Sequence, residues 1–153
     1  MDQEILRLLQ VDGRMPYRQI ARELGVSEGT VRWRMRRLEE SQAVSIIAVA
    51  DPFRMGYQVL AFCLIHVEPD QHTHVTDELV SWSETTYVSS CTGDADLYIQ
   101  LVCSDHDHLW HLLYERIPQI GGVVSTKTFM ELKMHKVAYF YPALRGQRAS
   151  GAG

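Results

Sequence analysis

The stretch PYRQIARELGVSEGTVRWRMRRLEE, residues 16–40, reads as two short helices joined by a tight turn. Pro16 suits the first turn of the first helix, where its missing N–H costs nothing. Ile20, Ala21 and Leu24 give that helix an inner face, and Gly25 ends it. Ser27 is a natural cap for the next helix, since its hydroxyl can accept a backbone N–H that the first turn leaves unpaired. Val31, Met35 and Leu38 recur at i, i+4 and i+7 and therefore point inward. Two helices linked through Leu24-Gly25-Val26-Ser27 make a helix-turn-helix.

Upstream, Asp2 is expected to cap a first helix whose apolar face is Ile5, Leu6, Leu8 and Leu9, with Asp12-Gly13 as its break. Downstream, Val44 to Ala50 is β-prone and short, and is expected to form a wing or linker strand. Asp51-Pro52 and Gly56 then punctuate the chain, which places a linker at 51–58 after a helix-turn-helix domain at 1–50.

Charge is unevenly distributed. The 153 residues carry a formal net charge of −4, which by itself argues against a nonspecific nucleic-acid binder. From Arg14 to Arg37, however, seven arginines face two acids, a net of +5, while from Val59 onward six Lys or Arg face eleven Asp or Glu, a net of −5. Basic charge concentrated on one short segment is the electrostatic footprint of a DNA reader. The longest apolar run, Val59 to Ile65, is far shorter than the roughly 20 residues a membrane helix needs. With no leader-like N-terminus visible, a cytoplasmic location is expected. Cys63, Cys91 and Cys103 lack any CxxC spacing and are expected to be reduced, buried thiols.

With Val31, Met35 and Leu38 inward, the outward side of the second helix carries the reading surface. Glu28, Gly29, Arg32 and Trp33 occupy the N-terminal part that enters the major groove, where arginine can pair bidentately with guanine. Ser27, Thr30, Arg36 and Arg37 suit phosphate contacts, which position the helix. Arg34 can either brace the domain internally or reach the DNA backbone.

The second half alternates strands and helices: strand Val59–Val67, helix Pro69–Trp82, strands Thr86–Thr92 and Leu97–Cys103 around the turn Gly93-Asp94-Ala95-Asp96, helix Asp105–Ile117, and a long strand Val123–Tyr139. This β-α-β-β-α-β order is the ferredoxin-like split arrangement, spanning 59–144, with a small polar tail at 145–153 expected to be disordered. The fold class is therefore α+β, a (winged) helix-turn-helix domain followed by a ferredoxin-like domain. Such a domain leaves one sheet face uncovered by its own helices, and a second copy can cover it and close a twofold dimer.

Taken together, Asp2-x-x-Ile5-Leu6, Asp12-Gly13-Arg14, Ile20-Ala21, Leu24-Gly25-Val26-Ser27, Val31, Arg34 and Leu38-Glu39 in the first half resemble the Lrp/AsnC (feast/famine) regulators. So do Gly93-Asp94-x-Asp96, Gly122-Val123 and Thr126-x-Thr128 in the second, and the likeness runs over residues 2 to 141. The resemblance implies a sequence-specific transcriptional regulator of double-stranded DNA, homodimeric and assembling further to octamers, and modulated by a small effector, usually an amino acid. It also implies that Gly93, Asp94, Asp96, Thr126 and Thr128 line the effector site. The chemistry agrees, since an α-ammonium seeks a carboxylate and an α-carboxylate seeks hydroxyl or N–H donors.

An alternative of the same architecture is a siroheme decarboxylase-like tetrapyrrole enzyme. Val44-Ser45-Ile46-Ile47 stands where such enzymes carry an Arg-Arg-Phe-Gly-like segment, and no nucleophile–base pair or phosphate-cradling loop is visible, so no enzyme and no cofactor is expected. A metabolic sensor without DNA binding is a third reading, against which the arginine cluster stands. His72 and His74, and His106, His108 and His111, have spacings that could hold a metal. They read instead as a solvated polar helix side, with no metal site.

Overall fold

The computed structural model describes residues 1–136, and its backbone divides into two compact units, one of Met1–Ala48 and one of Val49–Lys136. The expectations for the strand beyond 136, for the domain end at 144 and for the tail at 145–153 lie outside the described residues.

Three helices build the first unit: α1 Asp2–Val11, α2 Tyr17–Leu24 and α3 Glu28–Glu40. Ile5, Leu8 and Leu9 of α1, Ile20 and Ala21 of α2, and Val31 and Met35 of α3 are buried together, with Leu24 and Leu38 half-buried against them. Asp2 does not cap α1. It is the first helical residue, where its charge suits the helix dipole, and its Oδ1 instead accepts from Arg34 Nη1 at 2.7 Å. Pro16 sits one place before α2 rather than inside it, and its carbonyl accepts from Gln19 and Ile20 N–H. Gly25 ends α2 at φ 67°, ψ 32°, a left-handed conformation that a Cβ disfavours. Ser27 caps α3, its Oγ accepting from the Thr30 N–H at 3.1 Å.

The wing strand expected at Val44–Ala50 is not formed. Among the described residues no strand pairs with this segment, and Ile46, Ile47 and Val49 are exposed, so β propensity alone finds nothing there to hydrogen-bond against.

The second unit holds β1 Val59–Val67, α4 His72–Ser81, β2 Thr85–Ser90, β3 Leu97–Cys103, α5 His106–His111 and β4 Val123–Met130. The sheet is antiparallel, in the order β2-β3-β1-β4, which is the split β-α-β-β-α-β topology. Period-two alternation sorts its side chains. Ala61, Cys63 and Ile65 of β1 and Leu97, Ile99 and Leu101 of β3 face a core closed by Val75 and Leu79 of α4, Leu109 of α5, and Leu112 and Ile117 beyond it. Each large side chain so buried stabilises by about 1.5–3 kcal/mol.

Three boundaries differ from expectation. Pro69–Gln71 is a separate tight turn before α4. The helix expected over Asp105–Ile117 is α-helical only to His111, then widens into a π turn at Leu112–Arg116 and tightens at Ile117–Gln119. Residues five apart on a regular α-helix diverge by about 140°. The wide turn reduces that angle and lets both Leu112 and Ile117 be fully buried. β4 ends at Met130, opposite Ala61, with one further bond from Glu131 N–H to the Leu60 carbonyl. Cys63 and Cys103 are buried as expected, but Cys91 is exposed, because it follows β2 on the hairpin.

Candidate nucleic-acid interface and effector groove

The reading surface is built on α3. Arg32, Trp33, Arg36 and Arg37 are exposed, as is Gly29; Glu28 and Thr30 are half-buried. The Ser27 and Thr30 hydroxyls lie 2.8 Å apart, so both sit at the helix start, where free N–H groups favour anions. A Cβ at Gly29 would meet nothing closer than Ser27 Oγ at 3.7 Å, so the bare backbone there is accessible rather than required by packing.

Arg32, Arg34 and Arg37 are not free side chains. Arg32 Nη2 lies 2.6 Å from Glu28 Oε1, one turn earlier, and its Cζ stands 5.8 Å from the centre of the Tyr17 ring. Arg37 stacks on Trp33 at 4.9 Å, and Arg34 approaches the same ring at 6.0 Å. Arg34 resolves in favour of bracing, since it joins α3 to Asp2 of α1. Tyr17 was not singled out in the sequence. An aromatic at the first residue of α2, across the turn from Arg32, was the available signal.

The second unit places its nominated residues less evenly. Gly93, at φ 115°, and Asp94 form the β2–β3 turn. Asp94 borders a cavity of about 540 Å³ on the sheet face that the helices leave open, lined also by Phe62, Leu64, Tyr87, Tyr98 and Gln100. Phe62 stacks on Tyr98 at 5.6 Å, and Tyr87 meets Tyr98 edge-on at 5.7 Å. Burial pushes the Tyr98 phenol up, with Tyr87 and Glu131 adding to the shift.

Asp96 plays a different part. Its Oδ2 accepts from the Val67 N–H at 3.0 Å and lies 3.6 Å from His66 Nδ1, while its N–H donates to the Ile65 carbonyl. It ties the turn to β1 at the β-bulge between His66 and Val67. Thr126 and Thr128 stand opposite Ile65 and Cys63, on the helix-covered side, and Thr128 Oγ1 donates to Cys63 Sγ at 3.4 Å. Within one chain they therefore share no groove with Asp94, because register puts them on the other side of the sheet.

The histidines disperse. His111 Nδ1 pairs with Glu115 Oε2 at 2.6 Å, and His108 Nε2 lies 3.5 Å from Glu84 Oε1. Among the described residues no group of three or more His, Cys, Asp or Glu could hold a metal ion. Among them, too, no helix is long and apolar enough to cross a membrane.

Comparison with known proteins agrees with both units. Residues 1–39 match the AsnC-type helix-turn-helix domain and residues 60–139 the Lrp/AsnC ligand binding domain. An HTH-type transcriptional regulator of Pyrococcus furiosus is 35% identical over 137 residues, 89% of this chain and 90% of the relative. Among solved structures, Escherichia coli AsnC superposes with a TM-score of 0.82 at 26% identity, over 92% of this chain and 96% of that one. A transcriptional regulator of Neisseria meningitidis, solved as its L-Met complex, has the same fold, with a TM-score of 0.82 at 22% identity over 92% and 94%. With both domains matched in order and a relative above 30% identity along nearly its whole length, the chain belongs to the Lrp/AsnC family of transcriptional regulators.

Proposed function

We propose that this protein is a sequence-specific regulator that reads double-stranded DNA with α3, one copy per half-site, and is adjusted by a small effector at its sheet unit. The observation that carries the reading is the outward row Arg32, Trp33, Arg36 and Arg37 on the second helix of a complete helix-turn-helix. Glu28, Gly29, Arg32 and Trp33 contact base edges. Ser27, Thr30, Arg36 and Arg37 hold phosphates. The mode of action asks for no cofactor and no catalysis, and it belongs in the cytoplasm.

One helix-turn-helix buries too little surface for tight specific binding. The open sheet face, with Phe62, Tyr98 and Tyr87 on it, supplies the pairing surface for a homodimer, and dimers assemble further to octamers. The effector is an amino acid, as the L-Met complex of the Neisseria neighbour supports, taken up beside Gly93 and Asp94. Thr126 and Thr128 join such a site only from a neighbouring copy, since in one chain they lie across the sheet from Asp94. Asp96 acts by holding the turn.

Selection from a random duplex pool with the full chain tests the reading. An enriched palindrome whose binding weakens steeply with salt is the expected result; no enriched sequence would overturn it. Titration calorimetry with the twenty amino acids tests the effector, and heat from none of them would remove it. Sedimentation of Tyr98→Glu tests the pairing, with dissociation to monomers expected.

A further inference from the structure

Arg32 is gripped from two sides. Glu28 takes one N–H of its guanidinium at 2.6 Å, and the Tyr17 ring lies along it at 5.8 Å. Tyr17 is half-buried against the helical core, so the ring is a fixed surface rather than a mobile one. The remaining Arg32 N–H groups and Glu28 Oε2 have no partner among the described residues. The result is an array of arginine donors beside one carboxylate acceptor, at the end of α3 that leads into the groove.

The major-groove edge of a guanine·cytosine pair presents the complement: the N7 and O6 acceptors of guanine, then the N4 amino donor of cytosine. We propose that Glu28, Arg32 and Tyr17 act as one reading unit for a C·G base pair. Arg32 donates to guanine, Glu28 accepts from the paired cytosine, and Tyr17 is a positioning residue that holds the guanidinium at the angle both contacts need. The proposal rests on the reading that α3 enters the major groove.

Charge separates this unit from its neighbours. Glu28 and Arg32 together are neutral, so they add little to phosphate attraction, which Arg36 and Arg37 supply. A carboxylate at the leading end of a DNA-reading helix is repelled by the phosphates unless a base-edge donor meets it. Removing Glu28's charge should therefore have opposite effects on specific and nonspecific binding, which a purely electrostatic role cannot produce.

The experiment is selection from a random duplex pool with wild type, Glu28→Gln and Tyr17→Leu, followed by affinities for the enriched site and for an unrelated duplex across a salt series. Circular dichroism confirms that each variant is folded. Wild type should enrich a half-site with one invariant C·G pair. Glu28→Gln should lose roughly tenfold of the preference at that pair alone. It should bind the unrelated duplex as well or better, with an undiminished salt slope. Tyr17→Leu should erode the same preference by a smaller factor. Should Glu28→Gln enrich the wild-type half-site with undiminished preference at every position, the reading unit is overturned while regulation by α3 stands. A folded wild type that enriches nothing overturns the regulator reading itself.

Discussion

Among the described residues, the helical unit presents arginines from a core of seven buried side chains, whereas the sheet unit presents aromatic rings from a core of sixteen. The larger core makes the sheet unit the place where cavities cost most. It also decides how each surface is held. On the reading face of α3 the partners are local or nearby, Ser27 with Thr30, Glu28 with Arg32, and Tyr17 across one turn, while Arg34 alone reaches back to Asp2 of α1. In the sheet unit a residue's surroundings depend on strands distant in sequence, as when Asp96 takes the N–H of Val67 or Thr128 meets Cys63. A helix surface can be edited one residue at a time, while a sheet surface moves with its register.

The sharpest way to test that contrast is to open a hole in the larger core. Ile99 lies on β3, fully buried, with β1 and β2 on either side. Ile99→Ala should cost about 2–5 kcal/mol by denaturant unfolding. A loss below about 1 kcal/mol would mean that the site collapses freely and that the core is not close-packed.

Next in size is a change that leaves both cores intact. Arg32→Ala should remove about 1–3 kcal/mol of discrimination between the preferred and an altered half-site, with the circular dichroism spectrum unchanged. A variant with full site preference would show that the exposed row of α3 does not read bases. Smaller again is Ser27→Ala, which leaves the Thr30 N–H uncapped and should lower the stability of the helical unit by about 1 kcal/mol. An effect as large as that of Ile99→Ala would break the comparison, because it would make a local cap equal to a core residue.

How far each surface was legible follows the same division. The helix-turn-helix could be read because its signals are local: the cap at Ser27, the left-handed stop at Gly25, and the period of Val31, Met35 and Leu38. The strand order was legible too, from alternation and the Gly93-Asp94 turn. What escaped needed partners. Val44–Ala50 has strand-like residues but no strand beside it among the described residues. Asp2 looks like a cap until Arg34 is brought to it from α3. Thr126 and Thr128 look like partners of Asp94 until the pairing of β4 with β1 turns them to the other face. The wide turn at Leu112–Arg116 answers to the packing of Ile117, which periodicity does not encode.

The smallest expected effect concerns pH, and it belongs to the sheet unit. Burial pushes the Glu84 carboxyl up, but its own backbone N–H, the Ser83 hydroxyl, the Arg116 guanidinium and His108 together hold it below its ordinary 4.5. Asp105 is likewise held below 3.8, chiefly by the His108 N–H and then by the Ser104 hydroxyl. A carboxylate whose pKa is lowered on folding contributes stability above its unfolded value and loses it as pH falls through the folded one. The sheet unit should therefore weaken progressively below about pH 4.5, and Glu84→Gln should flatten that acid limb. At the other end, burial raises the Cys103 thiol from 9.0 to about 11, a contribution present below pH 9 and lost above it. Arg116 lies 3.9 Å over the Trp82 ring while pairing with Glu84, so Trp82 fluorescence reports on the pair directly. In a chain carrying Trp33→Phe, Trp110→Phe and Glu78→Gln, the last removing the carboxylate that accepts from the Trp82 indole N–H at 3.2 Å, that signal should titrate in acid and lose its titration in Glu84→Gln. A signal that titrates unchanged would assign the acid limb to the Asp105 cap instead.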